Sequence, residues 1–351
     1  MSHSLVSGDH NLVLEALHMP AAWLVTPRSF LVDRIMPRCE EVRLAVTKTG
    51  GGRVRISVGE QVFAPPPSGG GLKSRLRQLK RPPSFKIDQR LILDLRAGNP
   101  GNWAHFLNIH LAFLALAAHT LGINPLGFCV LLPAKMPQYI RVMAQTLKMQ
   151  CVYTDAQVTG FGVHIDFDDW NCIRGVRNSL LTDPTASPVA ARIRDKTLTL
   201  QNDSPDRLFL SRKSTRNLTN EEEITQLLSE YGFQTLYMED LSPEKQFSYL
   251  LNAQEVVAIH GAALAPMLYR DSTRPAIKLI ELFPVGHLTN VYRAVVAAQA
   301  GMWCGVRGYM RKNHIDHIYR LEEPYRQHSL EAFAVDPDSV RFALDRIKIE
   351  L

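Results

Sequence analysis

The feature that most constrains the fold is a strand, a small-residue turn, a helix start and a second strand in quick succession between Gln254 and Pro284. Glu255-Val256-Val257-Ala258-Ile259 is a short apolar run with β-branched residues, followed by His260-Gly261-Ala262-Ala263-Leu264 and the helix-compatible Ala265 to Tyr269. After the polar break Arg270 to Pro275, the run Ile277 to Phe283 is again strand-like and stops at Pro284. Strand, turn, helix, strand is the unit of a parallel α/β sheet, in which ligands sit beyond the carboxyl ends of the strands. His260 and Gly261 fall at that edge. Small residues at Gly261, Ala262 and Ala263 let a ligand approach the backbone, and the N–H groups of the following helix start favour an anion such as a phosphate. Taken alone, the turn reads more readily as a core histidine followed by residues kept small for helix packing.

The upstream segment shifts that balance. Arg207-Leu208-Phe209-Leu210 is a short strand running into Ser211-Arg212-Lys213-Ser214-Thr215-Arg216, a basic, hydroxyl-rich loop. A helix over Glu221 to Tyr231 follows, with Ile224, Leu227 and Leu228 on its apolar face and Asn220 or Thr219 to cap it. Gly232 ends that helix, Gln234 to Tyr237 is a strand, and Pro243 to Asn252 is a further helix. Two sheet-edge loops, one with Arg212, Lys213 and Arg216 and one with His260 and Gly261, can therefore converge on one diphosphate.

The same alternation starts earlier, at Arg90. Leu91 to Leu95 is a strand, Asn102 to Leu121 a helix, Phe128 to Leu132 a buried strand, Pro137 to Met149 a helix and Cys151 to Tyr153 a strand, a first βαβαβ half. Phe106 to Leu121 is the most apolar stretch, but it is broken by Asn108, His110 and His119 and falls short of the roughly 20 residues that span a bilayer, so a buried helix is expected. Ahead of it, Glu41 to Thr47 and Arg53 to Val58 suggest a hairpin around Thr49-Gly50-Gly51-Gly52. The Pro- and Gly-rich loop 65–71 precedes a basic run, Lys73, Arg75, Arg77, Lys80 and Arg81, with Leu72, Leu76 and Leu79 at helical spacing. That run is either an amphipathic helix on anionic lipid or a solvated loop.

Val189 to Thr197 can form a helix in the crossing between the halves, and Thr289 to Ala300 and Pro337 to Ile349 are helices, the last with Val340, Phe342, Ala343, Ile347 and Ile349 to bury. The expected division is an N-terminal extension (1–88), a first Rossmann-like domain (89–185), a second (186–330) and a C-terminal helix (331–351).

With 40 Lys and Arg against 34 Asp and Glu, a net charge of +6, the chain suits an anionic ligand or a membrane surface. It has no zinc-finger spacing and no aromatic–basic interleaving, so nucleic acid is not an expected partner. Its five cysteines are scattered, odd in number and without a Cys-x-x-Cys pair, which points to reduced thiols and a cytoplasmic location. Met1 to His18 lacks a basic start followed by an apolar core and does not read as a secretory signal. Asp166, Asp168 and Asp169 match the Asp-x-Asp pattern that can hold a divalent ion on a diphosphate. They precede the half that already supplies cations, so no metal site is expected.

The ordered blocks Phe209-Leu210-Ser211-Arg212-Lys213, Asn220-Glu221, Tyr231-Gly232-Phe233, Glu239-Asp240-Leu241-Ser242 with Gln246, Asn252-Ala253, His260 to Leu264 and Leu279-Ile280-Glu281-Leu282 resemble glycosyltransferase family 61, of the bacterial polysaccharide-biosynthesis type. Asn102-Trp103-Ala104-His105-Phe106-Leu107 is a second patch of that resemblance. It implies a GT-B architecture, two Rossmann-like domains facing across a cleft. It also implies an inverting transferase that needs no metal or other cofactor, with a nucleotide sugar, UDP-sugars first, as donor.

Carried over, the resemblance gives Arg212, Lys213 and Arg216 the diphosphate, His260, Gly261 and Ala262 the donor phosphate or sugar, and Glu281 the ribose hydroxyls. Asn102 and Asn108 then meet a glycan or lipid-linked acceptor of capsular, exopolysaccharide or lipopolysaccharide assembly, at the cytoplasmic side and peripheral to the inner membrane. Many relatives carry an acidic residue four positions after the histidine of the second patch, where this chain has Ile109, which leaves His105 and His110 as candidate bases. The same departure keeps open a catalytically inactive nucleotide-sugar-binding or scaffold protein. A Rossmann oxidoreductase is disfavoured by the lack of Gly-x-Gly-x-x-Gly after an early strand.

Overall fold

The computed structural model describes residues 2–6, 12–14, 17–20, 41–44, 47–49, 53–64, 83–167, 191, 193, 195, 204–270, 274–284, 287, 289, 291–309 and 328–348. The chain forms two compact units, Met1–Asn11 with Thr49–Lys196, and Leu12–Lys48 with Thr197–Leu351. The segment expected as a separate extension is thus shared between them.

Six strands open the chain: β1 (Ser2–Val6), β2 (Leu12–Leu14), β3 (Leu17–Pro20), β4 (Glu41–Leu44), β5 (Thr47–Thr49) and β6 (Arg53–Phe63). The expected hairpin does not form. β4 pairs with β3 and β5 with β2, while β6 pairs antiparallel with β1 and with β10 (Gln157–Phe167). The physical reason is length: β6 finds partners on β10 from Val158 to Phe167, a ladder that buries Val54 and Ile56 and that four-residue β4 could not supply.

Between β6 and β10 the first unit adds β7 (Ser84–Asp94), β8 (Phe128–Leu132) and β9 (Gln150–Tyr153), giving the sheet order β1-β6-β10-β7-β8-β9. The β10–β7, β7–β8 and β8–β9 pairs are parallel. Every residue of β8, Phe-Cys-Val-Leu-Leu, is buried, as a parallel strand covered on both faces requires. Helices α1 (Trp103–Leu121) and α2 (Gln138–Thr146) make the crossovers. Among the described residues α1 is the one helix long and apolar enough to cross a membrane, yet Phe106, Leu107, Leu111 and Leu114 lie in the core of this unit. Its middle, Phe106–His110, is a π-turn, a departure from the regular helix expected there. Gly122, in the left-handed region, ends it.

The second unit holds β11 (Arg207–Ser211), β12 (Gln234–Tyr237), β13 (Glu255–Ile259), β14 (Lys278–Phe283) and β15 (Met302–Arg307), all parallel, in the order β12-β11-β13-β14-β15. Helices α3 (Glu221–Glu230), α4 (Pro243–Asn252) and α5 (Val291–Ala298) alternate with them and α6 (Pro337–Lys348) closes the unit. Phe209, Val257, Ile259, Ile280 and Leu282 of the sheet share one core with Ile224, Leu227 and Leu228 of α3 and Val340, Ala343, Leu344 and Ile347 of α6.

Three local expectations change. Phe342, expected inside, is 49% exposed because its neighbours on α6 carry the buried face. Asn220 does not cap α3 with its side chain but binds the backbone of Val335. Ala262–Tyr269 is a 3₁₀ helix, since Pro266 within it has no N–H to donate.

Strand order positions the site. From β11 the chain moves outward to β12, then crosses back to place β13 on the other flank of β11. Parallel sheets of this order open a crevice at that reversal, beyond the carboxyl ends of the two strands. The loop that begins at Arg212 and the turn that begins at His260 leave from those two ends.

Candidate functional site

Arg212 and Arg216 converge on one backbone oxygen. Nη1 of Arg212 donates to the His260 carbonyl at 3.2 Å and Nη1 of Arg216 donates to the same oxygen at 3.3 Å. Arg216, in the left-handed region with φ 62°, is further held by Nε donating to the Ser329 carbonyl at 2.7 Å. Among the described residues neither guanidinium has a carboxylate within ion-pair distance. Burial lowers the pKa of both, and the Arg212 charge lowers that of Arg216 further, while Glu239 pulls Arg212 back up. Both remain cations at neutral pH. Two half-buried positive charges sharing a neutral oxygen form a receptor for an anion, and guanidinium forks match phosphate oxygens in geometry.

Gly261 makes that approach possible. Its backbone is extended, φ 164°, and a Cβ there would stand 2.4 Å from Nη1 of Arg212. Ala262 opens the 3₁₀ helix beside it. Lys213, the third cation of the loop, does not join them: its Nζ pairs with Asp240 at 2.5 Å and lies over the Tyr237 ring.

The His260 side chain is buried and its Nδ1 lies 2.5 Å from Oε1 of Glu281, while Nε1 of Trp303 donates to Oε2 of Glu281 at 2.9 Å. The imidazole stacks on Phe283 at 5.1 Å between centroids, with His287 and Tyr292 alongside. This corrects the expected role of Glu281. Its relative exposure is 0% and both of its oxygens are taken, so it is not open to ribose hydroxyls. It sits on β14, flanked by β13 and β15, and its carboxylate serves the two side chains those neighbours supply. Trp303 was not singled out from the sequence, where it only opens the run Trp303 to Val306, which reads as a short last strand.

In the first unit, Asn102 caps α1, its Oδ1 accepting the His105 N–H at 3.1 Å. The exposed His105 ring directs Nδ1 at the Gly98 carbonyl, 3.1 Å away. A carbonyl only accepts, so the neutral ring carries its proton on Nδ1 and keeps a lone pair on Nε2, which has no partner among the described residues. His110 is the opposite case. It is 1% exposed, with Nδ1 2.9 Å from the His105 carbonyl and Nε2 2.8 Å from the Ala97 carbonyl. Burial pushes its pKa down, outweighing the two carbonyls that favour the charged ring. Both ring nitrogens face backbone oxygens, so His110 pins α1 to the turn at Ala97 and Gly98, and the nitrogen left bare in the neutral ring points at a carbonyl rather than into open space.

Asn108 is buried, and its Oδ1 has no partner among the described residues. Ile109, His110 and Phe113 line a cavity of about 450 Å³ with Leu95, Gly98 and Val163. Asp94 is the carboxylate on its wall, but Arg96 grips it at 2.9 and 2.7 Å.

Asp166 is spent on an ion pair with Arg55 at 2.9 Å, across β6 and β10. Asp168, Asp169 and the basic run 73–81 lie outside the described residues. No group of three or more His, Cys, Asp or Glu suited to a metal ion occurs among the described residues.

The family model Glycosyltransferase 61 matches residues 73–277, more than half of the chain. The match takes in α1, the arginine loop and the His260 turn, and stops ahead of Glu281 and Trp303. No curated protein matches. A family model of that extent decides the matter, and the chain belongs to glycosyltransferase family 61 and is a glycosyltransferase.

Proposed function

We propose that the protein is an inverting, metal-independent transferase that moves a sugar from a nucleotide sugar, UDP-sugars first, to a hydroxyl of a glycan or lipid-linked acceptor. The observation that carries the reading is the pair Arg212 and Arg216 on the His260 carbonyl, neither in an ion pair among the described residues, at the reversal of strand order. A nucleoside diphosphate is the anion that such a crevice accommodates. Two fixed cations supply the charge that stabilises a departing diphosphate, which is the task a divalent ion performs elsewhere. Gly261 gives the Arg212 guanidinium its room beside the backbone, and Ala262 keeps the start of the 3₁₀ helix small for the donor. Two α/β units, each with its own sheet, are the components of a GT-B enzyme and support that architecture.

In the proposed step the acceptor oxygen attacks the anomeric carbon, the bond from that carbon to the diphosphate oxygen breaks, and the acceptor proton passes to Nε2 of His105. Attack from the face opposite the leaving group inverts the anomeric centre. His105 is favoured over His110 because its Nε2 is open. Asn108, with its unsatisfied oxygen, and Asn102 beside His105 are the proposed acceptor contacts. The setting we propose is bacterial polysaccharide or lipopolysaccharide assembly on the cytoplasmic side of the inner membrane, with the basic run 73–81 as the contact to lipid.

A thermal-shift screen against UDP, GDP, CMP and their common sugars, in EDTA and in Mg²⁺, tests the donor half. A stabilising nucleotide whose effect survives EDTA is the expected result, and a shift that requires Mg²⁺ overturns the metal-free mechanism. His105→Ala tests the other half. It should abolish transfer and leave nucleotide binding intact, and undiminished transfer would remove His105 from the reaction.

A further inference from the structure

We propose that Glu281 is a positioning residue: with Trp303 it holds His260 in the tautomer that bears its proton on Nδ1, so that Nε2 accepts a hydrogen bond from a hydroxyl of the donor sugar. The inference rests on the reading of the β11–β13 crevice as a nucleotide-sugar site, and it divides that site. The phosphates belong to the two arginines and the sugar to the histidine.

The chemistry of three groups in a row fixes the direction. The indole N–H of Trp303 can only donate, so Oε2 of Glu281 is an acceptor. Oε1 faces Nδ1 of His260 at 2.5 Å, and a carboxyl is ordinarily a stronger acid than an imidazolium, so the shared proton resides on the ring. Two donors on one carboxylate satisfy both of its oxygens at 0% exposure. Phe283 stacks on the ring face, and the Leu282 carbonyl accepts the His260 backbone N–H and fixes the main chain from which the imidazole projects. Nε2 then carries a lone pair and has no partner among the described residues. A phosphate oxygen, itself an acceptor, would be repelled there, whereas a sugar hydroxyl can donate. The carbonyl of the same residue receives both guanidinium groups, so one residue sets the spacing between diphosphate and sugar.

The test has a readout independent of turnover. In protein labelled with ¹⁵N-histidine, long-range ¹H–¹⁵N spectra distinguish a protonated from a bare ring nitrogen, and His260→Gln identifies the His260 signals among the 12 histidines. The expected resting state at neutral pH is Nδ1 protonated and Nε2 bare; a protonated Nε2 overturns the proposal. In Glu281→Gln the amide cannot accept at both ends, so the Nδ1–H signature should be lost or mixed. Calorimetry on that variant should show UDP-glucose binding weakened about three- to tenfold with UDP within about twofold of the parent, or the same for GDP-mannose and GDP should the screen select guanine. Equal weakening of both ligands, or of neither, overturns it. Trp303→Phe keeps the carboxylate and serves if Glu281→Gln does not fold; it should weaken the sugar nucleotide in the same selective way, and unchanged selectivity overturns the relay. If Arg212→Ala leaves nucleotide binding untouched, the donor-site reading fails while the ring state stands on its own spectrum.

Discussion

Arg212 and Arg216 carry the proposed contact with the diphosphate, and their removal should show it directly. A charge-assisted hydrogen bond contributes roughly 1.5–3 kcal/mol, so Arg212→Ala and Arg216→Ala should each weaken nucleoside diphosphate binding by about 10- to 100-fold in calorimetry. Gly261→Ala probes the same contact from the other side. Its extended backbone accepts alanine without strain, but the new Cβ displaces the guanidinium, so affinity should fall while the melting temperature holds. His110 makes a different prediction. Burial holds its folded-state pKa below the ordinary 6.5. On acidification the unfolded chain therefore takes up the proton first, so the His110 contribution to stability is full above about pH 6.5 and is lost as pH falls through the folded-state value. His110→Gln does not titrate, and its melting temperature should decline less between pH 7 and pH 5 than that of the parent.

Two elements owe their geometry to residues that pattern reading passes over. Arg270, which sequence treats as part of a polar break, is 2% exposed and stops α4 from inside the protein. Its Nη1 donates to the carbonyls of Leu251 and Ala253, both at 2.7 Å, and Nη2 donates to that of Pro275 at 2.8 Å. A buried cation at a helix C-terminus faces the negative end of the dipole and satisfies carbonyls that have no partner within the helix. Arg270→Met leaves them stranded and should cost about 3 kcal/mol, read as an earlier midpoint in urea. In β10, register shifts between Gly160 and Gly162, and Gly160, at φ 155°, lies so close to β7 that a Cβ would sit 2.4 Å from the Ile87 carbonyl. Gly160→Ala should therefore destabilise the first unit by about 1–3 kcal/mol, measurable as faster proteolysis of that unit.

For the molecule as a whole, the proposed mechanism requires transfer to persist in excess EDTA, because the charge on the leaving group would be met by side chains that a chelator cannot remove. Much of this protein was determined by sequence alone. The alternation of apolar runs with helical periods carries the two α/β units, since β and α periodicities are local and each element must bury one face. The loops of Arg212 and His260 were legible for the same reason, because residues just past parallel strands lie at one sheet edge. Tertiary structure decided the rest. Strand order, which places β13 rather than β12 across the site from β11, depends on a crossover that no local pattern encodes. The hairpin expected before β6 lost to a longer ladder with a strand some hundred residues away. Lys213 was drawn to Asp240, Arg216 to His260, and Glu281 inward to His260 and Trp303. A charged side chain is free in sequence to face ligand or protein, and which it does is set by the partners that folding brings within hydrogen-bond reach and by the cost of burying it without one.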